Sequence, residues 1–194
     1  MLMCEPRRCY GLARGFTLVE LIIVLVILGT MLALGIPALA TWIKNSQVRT
    51  TAEVLQTGLR SAGANAAQLN RRVIFSFTDA EPSLNAAAAV SGKNWSMQTI
   101  AQFGEPAARY LGGGSLGEAS NVAMAGNPVA VSSICFDSNG RVVMLAGCDS
   151  LATAIDLSTN GSDRPLRVTF SSGGQIRICD PNRPARSATT PDGC

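Results

Sequence analysis

The first pattern along the chain is an apolar run near its N-terminus. Residues 16–43 contain a single ionisable side chain, that of Glu20. At about 1.5 Å per residue, a helix of this length extends roughly 42 Å, which exceeds the bilayer hydrocarbon thickness of about 30 Å. The basic residues before the run are expected to stay in the cytoplasm. The sequence therefore predicts a transmembrane helix at 16–43 and an exported chain after it.

A second pattern follows, in which apolar residues recur every three or four positions. Pro37 is expected to kink the helix, because proline lacks an amide donor and clashes with the preceding turn. Beyond it, polar side chains fill the positions between the apolar ones, which is typical of a helix with one buried face. We therefore predict that residues 44–72 continue the helix and pack on a domain. The apolar positions of this face are Val48, Ala52, Leu55, Leu59, Ala62, Ala66 and Leu69.

Residues 73–194 change to short runs of β-forming residues that are separated by turn residues. Two turns, at 137–140 and 171–174, end in glycine between alternating segments and predict β-hairpins. Two stretches rich in alanine, glycine and serine, at 85–92 and 112–127, show no period and predict surface loops open to a partner. The expected fold class is α+β, with the long helix packed on an antiparallel β-sheet. The predicted strands are 73–77, 94–100, 129–136, 141–145, 166–170 and 175–179.

Composition restricts the chemistry that the chain can perform. None of the 194 residues is a histidine, which removes the Ser-His-Asp and Cys-His catalytic sets and the zinc sites that use imidazole. The pattern offers neither a nucleophile with a base nor a close pair of carboxylates, so we predict no catalytic residue and no cofactor. The first fifteen residues account for +2 of the formal net charge of +3. The nearly neutral remainder argues against a dedicated nucleic-acid-binding domain.

The cysteines Cys135, Cys148, Cys179 and Cys194 lie in the part of the chain that is predicted to be exported, where disulfides form. Four cysteines allow three pairings, and we favour Cys135–Cys148 with Cys179–Cys194. The second bond would close the C-terminal tail and contribute about 3 kcal/mol in the loop-entropy description. Zinc is the alternative, but the Cys-x-x-Cys spacing typical of a zinc site is missing, so we predict no metal.

The last part of the chain, residues 164–194, holds five arginines and two aspartates, a local balance of +3. Forked guanidinium donors suit phosphate oxygens, so this region is the best candidate for contact with DNA. No aromatic residue follows Phe170, and stacking on single-stranded bases is therefore not supported. A solvated tail and a contact surface for another subunit are the alternatives. The candidate DNA-binding residues are Arg164, Arg167, Arg177, Arg183 and Arg186.

Glu20 stands near the start of the apolar run, where a carboxylate is costly and usually has a partner. The run itself contains no basic residue, but a cut after Gly15 would supply a cation, the α-amine of Phe16. A secretory signal peptide is an alternative, since residues 38–40 have the small-x-small pattern of a cleavage site. The present run is longer than the usual apolar core of about 7–15 residues.

The basic leader that ends at Gly15, with Phe16 and Glu20 at the opening of an apolar helix, resembles the type IV pilin-like family. The resemblance implies that a prepilin peptidase cuts between Gly15 and Phe16 and that Phe16 is N-methylated. It also implies that Glu20 pairs with the amine of a neighbouring subunit in a filament. The expected parts are a cytoplasmic leader at 1–15, a transmembrane helix at 16–43, its amphipathic continuation at 44–72 and a periplasmic β-rich domain with a disulfide-bonded tail at 73–194.

The segment 59–73, a small-residue helix that leads into a strand, resembles the FimT/GspH branch of minor pilins and pseudopilins. This implies a minor type IV pilin that is held in the inner membrane and then joins or primes a pilus. The implied partners are the prepilin peptidase, other pilins and membrane lipid. A minor pseudopilin of a type II secretion system is one alternative. The other is a minor pilin that binds DNA for natural transformation, because some members of the branch use an arginine-bearing C-terminal region for this purpose.

Overall fold

The computed structural model describes residues 15–102, 104–116, 122–145, 147–148 and 152–194. Of the predicted leader, only its last residue, Gly15, lies within the described residues. The chain divides into two compact units, Met1–Ala40 and Thr41–Cys194. The helix α1, Leu18–Leu69, begins in the first unit, and all the described strands belong to the second.

The helix α1 starts two residues later than predicted and continues through position 37 for 52 residues. The kink at Pro37 stays a prediction. Six of the seven apolar positions predicted for its second part are completely buried, and this face is confirmed. The seventh, Leu69, is instead 39% exposed. It is the last residue of the helix, and Asn70 turns the chain away with a left-handed φ of 50°.

The chain after α1 forms nine strands in its described part: β1 (Val73–Thr78), β2 (Asn94–Thr99), β3 (Tyr110–Ser115), β4 (Val122–Asn127), β5 (Ser133–Phe136), β6 (Val142–Val143), β7 (Ala154–Thr159), β8 (Leu166–Phe170) and β9 (Ile176–Cys179). They form two sheets, with the orders β3-β2-β1-β5-β6 and β4-β7-β8-β9. Every pairing between neighbouring strands is antiparallel. The α+β class is confirmed, with two sheets in place of the single sheet that was expected.

The loop predicted at 112–127 is wrong at both ends, where β3 and β4 lie. The glycines of β3 are there because side chains of β2 occupy the space beside them. A Cβ atom at Gly112 would lie 2.9 Å from Met97 Cε, and one at Gly114 would lie 3.4 Å from the indole of Trp95. A run of glycines, which is typical of a loop, here allows a close approach within a sheet. The other predicted loop, 85–92, contains no helix or strand.

Three other strand predictions need correction. The strand β7 was not predicted at all, although Ile155 and Leu157 on it are almost completely buried. The strand β5 begins at Ser133, four residues later than expected, and β6 has only two residues. The strand β5 ends at Phe136, as predicted, and the carboxylate of the next residue, Asp137, accepts the N–H groups of Asn139 and Arg141, both at 2.9 Å.

The two predicted hairpin turns are confirmed, and each contains a glycine with positive φ, 73° at Gly140 and 80° at Gly174. The first turn also touches α1, since a Cβ atom at Gly140 would lie 2.9 Å from the carbonyl oxygen of Gly63. The buried face of α1 belongs to one hydrophobic core with side chains of both sheets. The largest of these side chains are Phe75, Phe77, Phe136, Ile134, Ile155 and Leu157.

Candidate functional site

The start of α1 is fixed by Thr17, the residue just before the helix. Its side-chain oxygen accepts the N–H of Glu20 at 3.2 Å, and its carbonyl accepts the N–H of Leu21, also at 3.2 Å. Thr17 is therefore the N-cap, with Glu20 at the third helical position, where an acidic residue is favoured. Sequence reasoning missed Thr17, although the spacing Thr-x-x-Glu before an apolar run is the known signal of a capping box.

The part of α1 that follows is exposed and apolar. Its most apolar stretch of 18 residues has a mean hydropathy of 2.7, and none of that stretch is buried. By length and composition, α1 is the one helix in the described chain that could cross a membrane. Glu20 lies at its beginning and is itself exposed. Between Gly15 and Ile43 the sequence has neither lysine nor arginine, so no side chain of this segment can neutralise the Glu20 carboxylate.

Both favoured disulfides are present. Cys135 of β5 is bonded to Cys148 with the Cα atoms 5.9 Å apart, and Cys179 of β9 is bonded to Cys194 with the Cα atoms 5.1 Å apart. Both distances lie in the usual range of about 4.4–6.8 Å. Because the sulfurs are bonded in pairs, none is available as a thiolate for zinc. In the part of the chain that the structure describes, no three His, Cys, Asp or Glu side chains form a group that could hold a metal.

The C-terminal tail is also held by hydrogen bonds and ion pairs. The N–H of Asp180 donates to the carbonyl of Asp192 at 2.7 Å, next to a parallel bridge between Asp180 and Gly193. Arg183 lies near both carboxylates, 3.5 Å from Asp180 and 3.4 Å from Asp192. The tail between Cys179 and Cys194 is therefore a closed loop, and Arg183 forms ion pairs within that loop.

Arg167 is also used within the domain. It stands on β8 opposite Asp156 of β7, and its guanidinium makes two hydrogen bonds to that carboxylate, one of them 2.9 Å long. Asn127 donates to the same carboxylate at 3.3 Å. The hydrogen bond from Arg167 is the main reason why the pKa of Asp156 lies below its ordinary value of 3.8, since partial burial acts in the opposite direction. The same bond raises the pKa of Arg167.

The structure thus separates the five candidate arginines into two sets. Arg167 and Arg183 have carboxylate partners. Arg164, Arg177 and Arg186 are exposed and form no ion pair with any described residue. Arg177 projects from the outer face of β9, since its neighbour Ile176 is buried in the core. Asp156 is a second residue that sequence reasoning missed, because its pairing with Arg167 depends on the register of β7 against β8.

Comparison with known proteins agrees with these features. A family description, the prokaryotic N-terminal methylation motif, matches residues 12–36. No curated protein sequence matches the chain. The type IV minor pilin FimU of Pseudomonas aeruginosa strain PAO1 has the same fold in one crystal form, with a TM-score of 0.52 and 17% identity over 73% of this chain and 97% of that chain.

A second crystal form of the same minor pilin gives a TM-score of 0.48 with 19% identity, over 69% of this chain and 97% of that chain. The first crystal form carries the likeness in fold, a long helix packed on antiparallel sheets. The methylation motif covers the residues around Gly15, Phe16 and Glu20 that carried the resemblance in the sequence. In its N-terminal motif and in its fold, the chain is type IV pilin-like.

Proposed function

We propose that this protein is a minor type IV pilin of the FimT/GspH branch, a structural subunit and not an enzyme. The observation that carries the proposal is the division of α1 into an exposed apolar part and a part whose apolar face is buried in a domain. The first part holds the subunit in the inner membrane, with its N-terminus in the cytoplasm and its domain in the periplasm. Prepilin peptidase cuts between Gly15 and Phe16, and Phe16 is N-methylated.

Glu20 sets the position of the subunit in the filament. Its carboxylate is exposed in an apolar segment without a basic side chain, and a charge in such surroundings is costly without a partner. The N-terminal amine of a neighbouring subunit, released by the cut before Phe16, supplies the opposite charge. The Thr17 cap supports this role, because it starts the helix two residues after Phe16 and leaves the new amine outside the helical hydrogen bonds.

The replacement Glu20→Ala tests the role of the carboxylate. In cells that carry the other pilin components, we expect the variant to be cleaved and inserted into the membrane, but to be absent from filaments sheared off the cell surface. The matched control is Glu53→Ala, which removes an exposed glutamate from the second part of α1, where it pairs with Arg49 at 2.9 Å. The control should enter filaments normally. Normal incorporation of the Glu20 variant would contradict the role proposed for Glu20.

The location of the native protein, together with the phenotype of a deletion strain, separates the pilus from the secretion system. A minor pilin is found in sheared surface filaments, whereas a minor pseudopilin stays with the cell envelope and its loss blocks protein secretion. We favour the pilus because the domain carries two disulfides and a long closed tail, which suit a subunit exposed outside the cell. Normal surface filaments together with failed secretion in a deletion strain would favour the pseudopilin instead.

DNA binding is the second candidate function. It is favoured by the three exposed arginines, Arg164, Arg177 and Arg186, which have no carboxylate partner in the described chain. Their guanidinium groups are free to donate to phosphate oxygens. The other two candidates, Arg167 and Arg183, are engaged by carboxylates of the domain, so we place the main DNA contacts on the three exposed arginines.

A salt series on the domain that starts at Thr41 tests DNA binding. Each arginine that contacts a phosphate contributes about 0.9 to the slope of log affinity against log salt on duplex DNA. We expect the triple variant R164Q/R177Q/R186Q to lose most of the affinity and to give a shallower slope. The control variant R49Q removes an exposed arginine of α1 that is paired with Glu53, and its slope should be unchanged. Absence of binding at low salt would exclude the DNA function and leave the assembly role intact.

A further inference from the structure

The turn between β7 and β8 is fastened to the beginning of the domain part of α1. The side-chain amide of Asn45 donates to the carboxylate of Asp163 at 2.6 Å, and the N–H of Asp163 donates back to the side-chain oxygen of Asn45 at 3.2 Å. Lys44 passes directly over the turn, since a Cβ atom at Gly161 would lie 3.4 Å from its Cδ. These contacts join residues that are 118 positions apart in the sequence.

The position of these residues in the chain decides what the turn faces. Lys44 is the first basic residue after the apolar run of 16–43, and Trp42, two residues before it, is 66% exposed. Tryptophan and lysine at the end of an apolar helix are the residues that settle at a membrane–water interface. Because Asn45 binds Asp163, the β7–β8 turn is brought to the level of the residues that leave the bilayer.

The turn is well ordered by its own hydrogen bonds. The N–H of Ser162 donates to the carbonyl of Thr159 at 3.0 Å, and Gly161 takes a positive φ of 84° that closes the turn. The residue after Asp163 is Arg164, which is exposed and forms no ion pair with a described residue. The carboxylate next to it, that of Asp163, already accepts the Asn45 amide. Two cations, Lys44 and Arg164, therefore flank a hydrogen-bonded turn at this end of the domain.

We propose that Lys44 and Arg164 bind the phosphate groups of anionic phospholipids in the bilayer that holds the apolar segment. The arginine fork suits two phosphate oxygens at once, and the lysine adds a point charge. A cation close to an anionic lipid surface is attracted to it, and each such cation increases the binding constant by a factor of about five. The contact holds the domain in one orientation on the membrane before the subunit is taken into a filament. It rests on the membrane anchoring proposed above.

Hydrogen exchange of the full-length chain in lipid nanodiscs tests this contact. One set of discs contains phosphatidylcholine alone, and the other contains phosphatidylcholine mixed with phosphatidylglycerol. We expect the amides of residues 160–164 to exchange up to about twenty-five-fold more slowly in the anionic discs, since two cations each contribute a factor of about five. The variant K44Q/R164Q should remove this difference in exchange rate. The single variant R164K, which keeps both positive charges, should retain most of the difference.

The control variant is R177Q, which removes an exposed arginine from β9 and should keep the full lipid-dependent difference. Equal exchange of the native turn in both kinds of disc, in protein that remains anchored, would overturn the lipid contact and leave the proposed pilin function standing. A chain that stays in neither kind of disc would overturn the anchoring and the contact together. A lipid-dependent difference that K44Q/R164Q retains would also overturn the assignment to these two residues.

Discussion

The two parts of α1 have the same backbone geometry and opposite arrangements of apolar side chains. Before Ala40, large apolar residues occupy most positions of α1, and their exposure ranges from 48% at Val24 to 79% at Leu34. After Lys44, one face of the helix carries a stripe of completely buried apolar residues, as at Leu55 and Leu59. Polar residues fill the remaining positions of the second part.

This difference identifies two environments for one helix. An apolar surface on all sides suits lipid, whereas a single apolar stripe suits a sheet on one side and water on the other. The glycines follow the same division. A Cβ atom at Gly29, in the first part, would meet no atom within 4 Å, but one at Gly58, in the second part, would lie 3.0 Å from the ring of Phe75. The residues of the second part are therefore determined by packing against the rest of the domain. Those of the first part suit a lipid environment.

The largest expected effect comes from removing a large side chain from each part. Leu59→Ala empties a completely buried position and should lower the free energy of unfolding by about 2–5 kcal/mol. Leu25→Ala, at a position that is 61% exposed, should change it by less than about 0.5 kcal/mol. Urea unfolding of the full chain in nanodiscs, with Trp42 replaced by phenylalanine so that the fluorescence comes from Trp95, measures both. Equal effects at the two positions would contradict the division of α1.

Glycine replacements give a smaller effect on domain stability, and we expect it only in the second part of α1. In an open helix, Gly→Ala stabilises by about 0.5–1 kcal/mol. At Gly58 the new methyl would press on Phe75, which is completely buried and stacked on Trp95 with ring centroids 5.3 Å apart. Overpacking of this kind costs about 1–3 kcal/mol, so Gly58→Ala should destabilise the domain by about 0.5–2 kcal/mol.

The matched control for Gly58→Ala is Gly29→Ala, where the added methyl meets no neighbouring atom. In the same urea experiment this variant should leave the unfolding of the domain unchanged. A domain that becomes more stable with Gly58→Ala would mean that Phe75 moves aside, and the packing argument for the second part would then fail at this position.

Helical periodicity was the most reliable guide in the sequence. It located α1 and six of the seven buried positions on its second part, because the packing face of a helix is written locally in its spacing. It missed only the last position, Leu69, where a left-handed Asn70 ends the helix. Helix termination depends on one residue's backbone angle, which the apolar period does not report.

The strands were harder to predict, because their identity depends on neighbours that are distant in sequence. By its composition, the segment Gly112–Gly114 predicts a loop. Its place in a strand depends on Met97 and Trp95 of β2, which lie beside it. The strand β7 is recognised by its pairing with β4 and β8, more than by its own composition.

The candidate site divides in the same way. Gly15, Phe16 and Glu20 form a local motif, and the sequence was sufficient to propose their roles. The arginines of the C-terminal region could not be sorted from sequence, because the partner of Arg167 is Asp156 on another strand. The hydrogen bonds between Asn45 and Asp163 join residues that are 118 positions apart in the sequence, and no local pattern predicts such a contact.

The smallest expected effect concerns acid, which acts on the domain through the pair of Asp156 and Arg167. The pKa of Asp156 is lowered in the folded domain, mainly by the hydrogen bond from Arg167. The pair therefore stabilises the fold above the ordinary carboxyl pKa of 3.8, and this contribution is lost as the pH falls through the lowered value. Because both side chains are partly exposed, at 28% and 34%, we expect a contribution of at most about 1 kcal/mol.

Asp156→Asn should therefore be less stable than the native domain near neutral pH, and the gap should narrow in acid. Urea unfolding of the chain from Thr41, at about pH 7 and about pH 3, measures the gap at both ends of this range. Asp79→Asn is the control, since Asp79 is exposed and has no ion pair in the described chain. A gap for Asp156→Asn that stays constant with pH would show that the variant loses packing or neutral hydrogen bonds, and that the charge of Asp156 does not stabilise the domain.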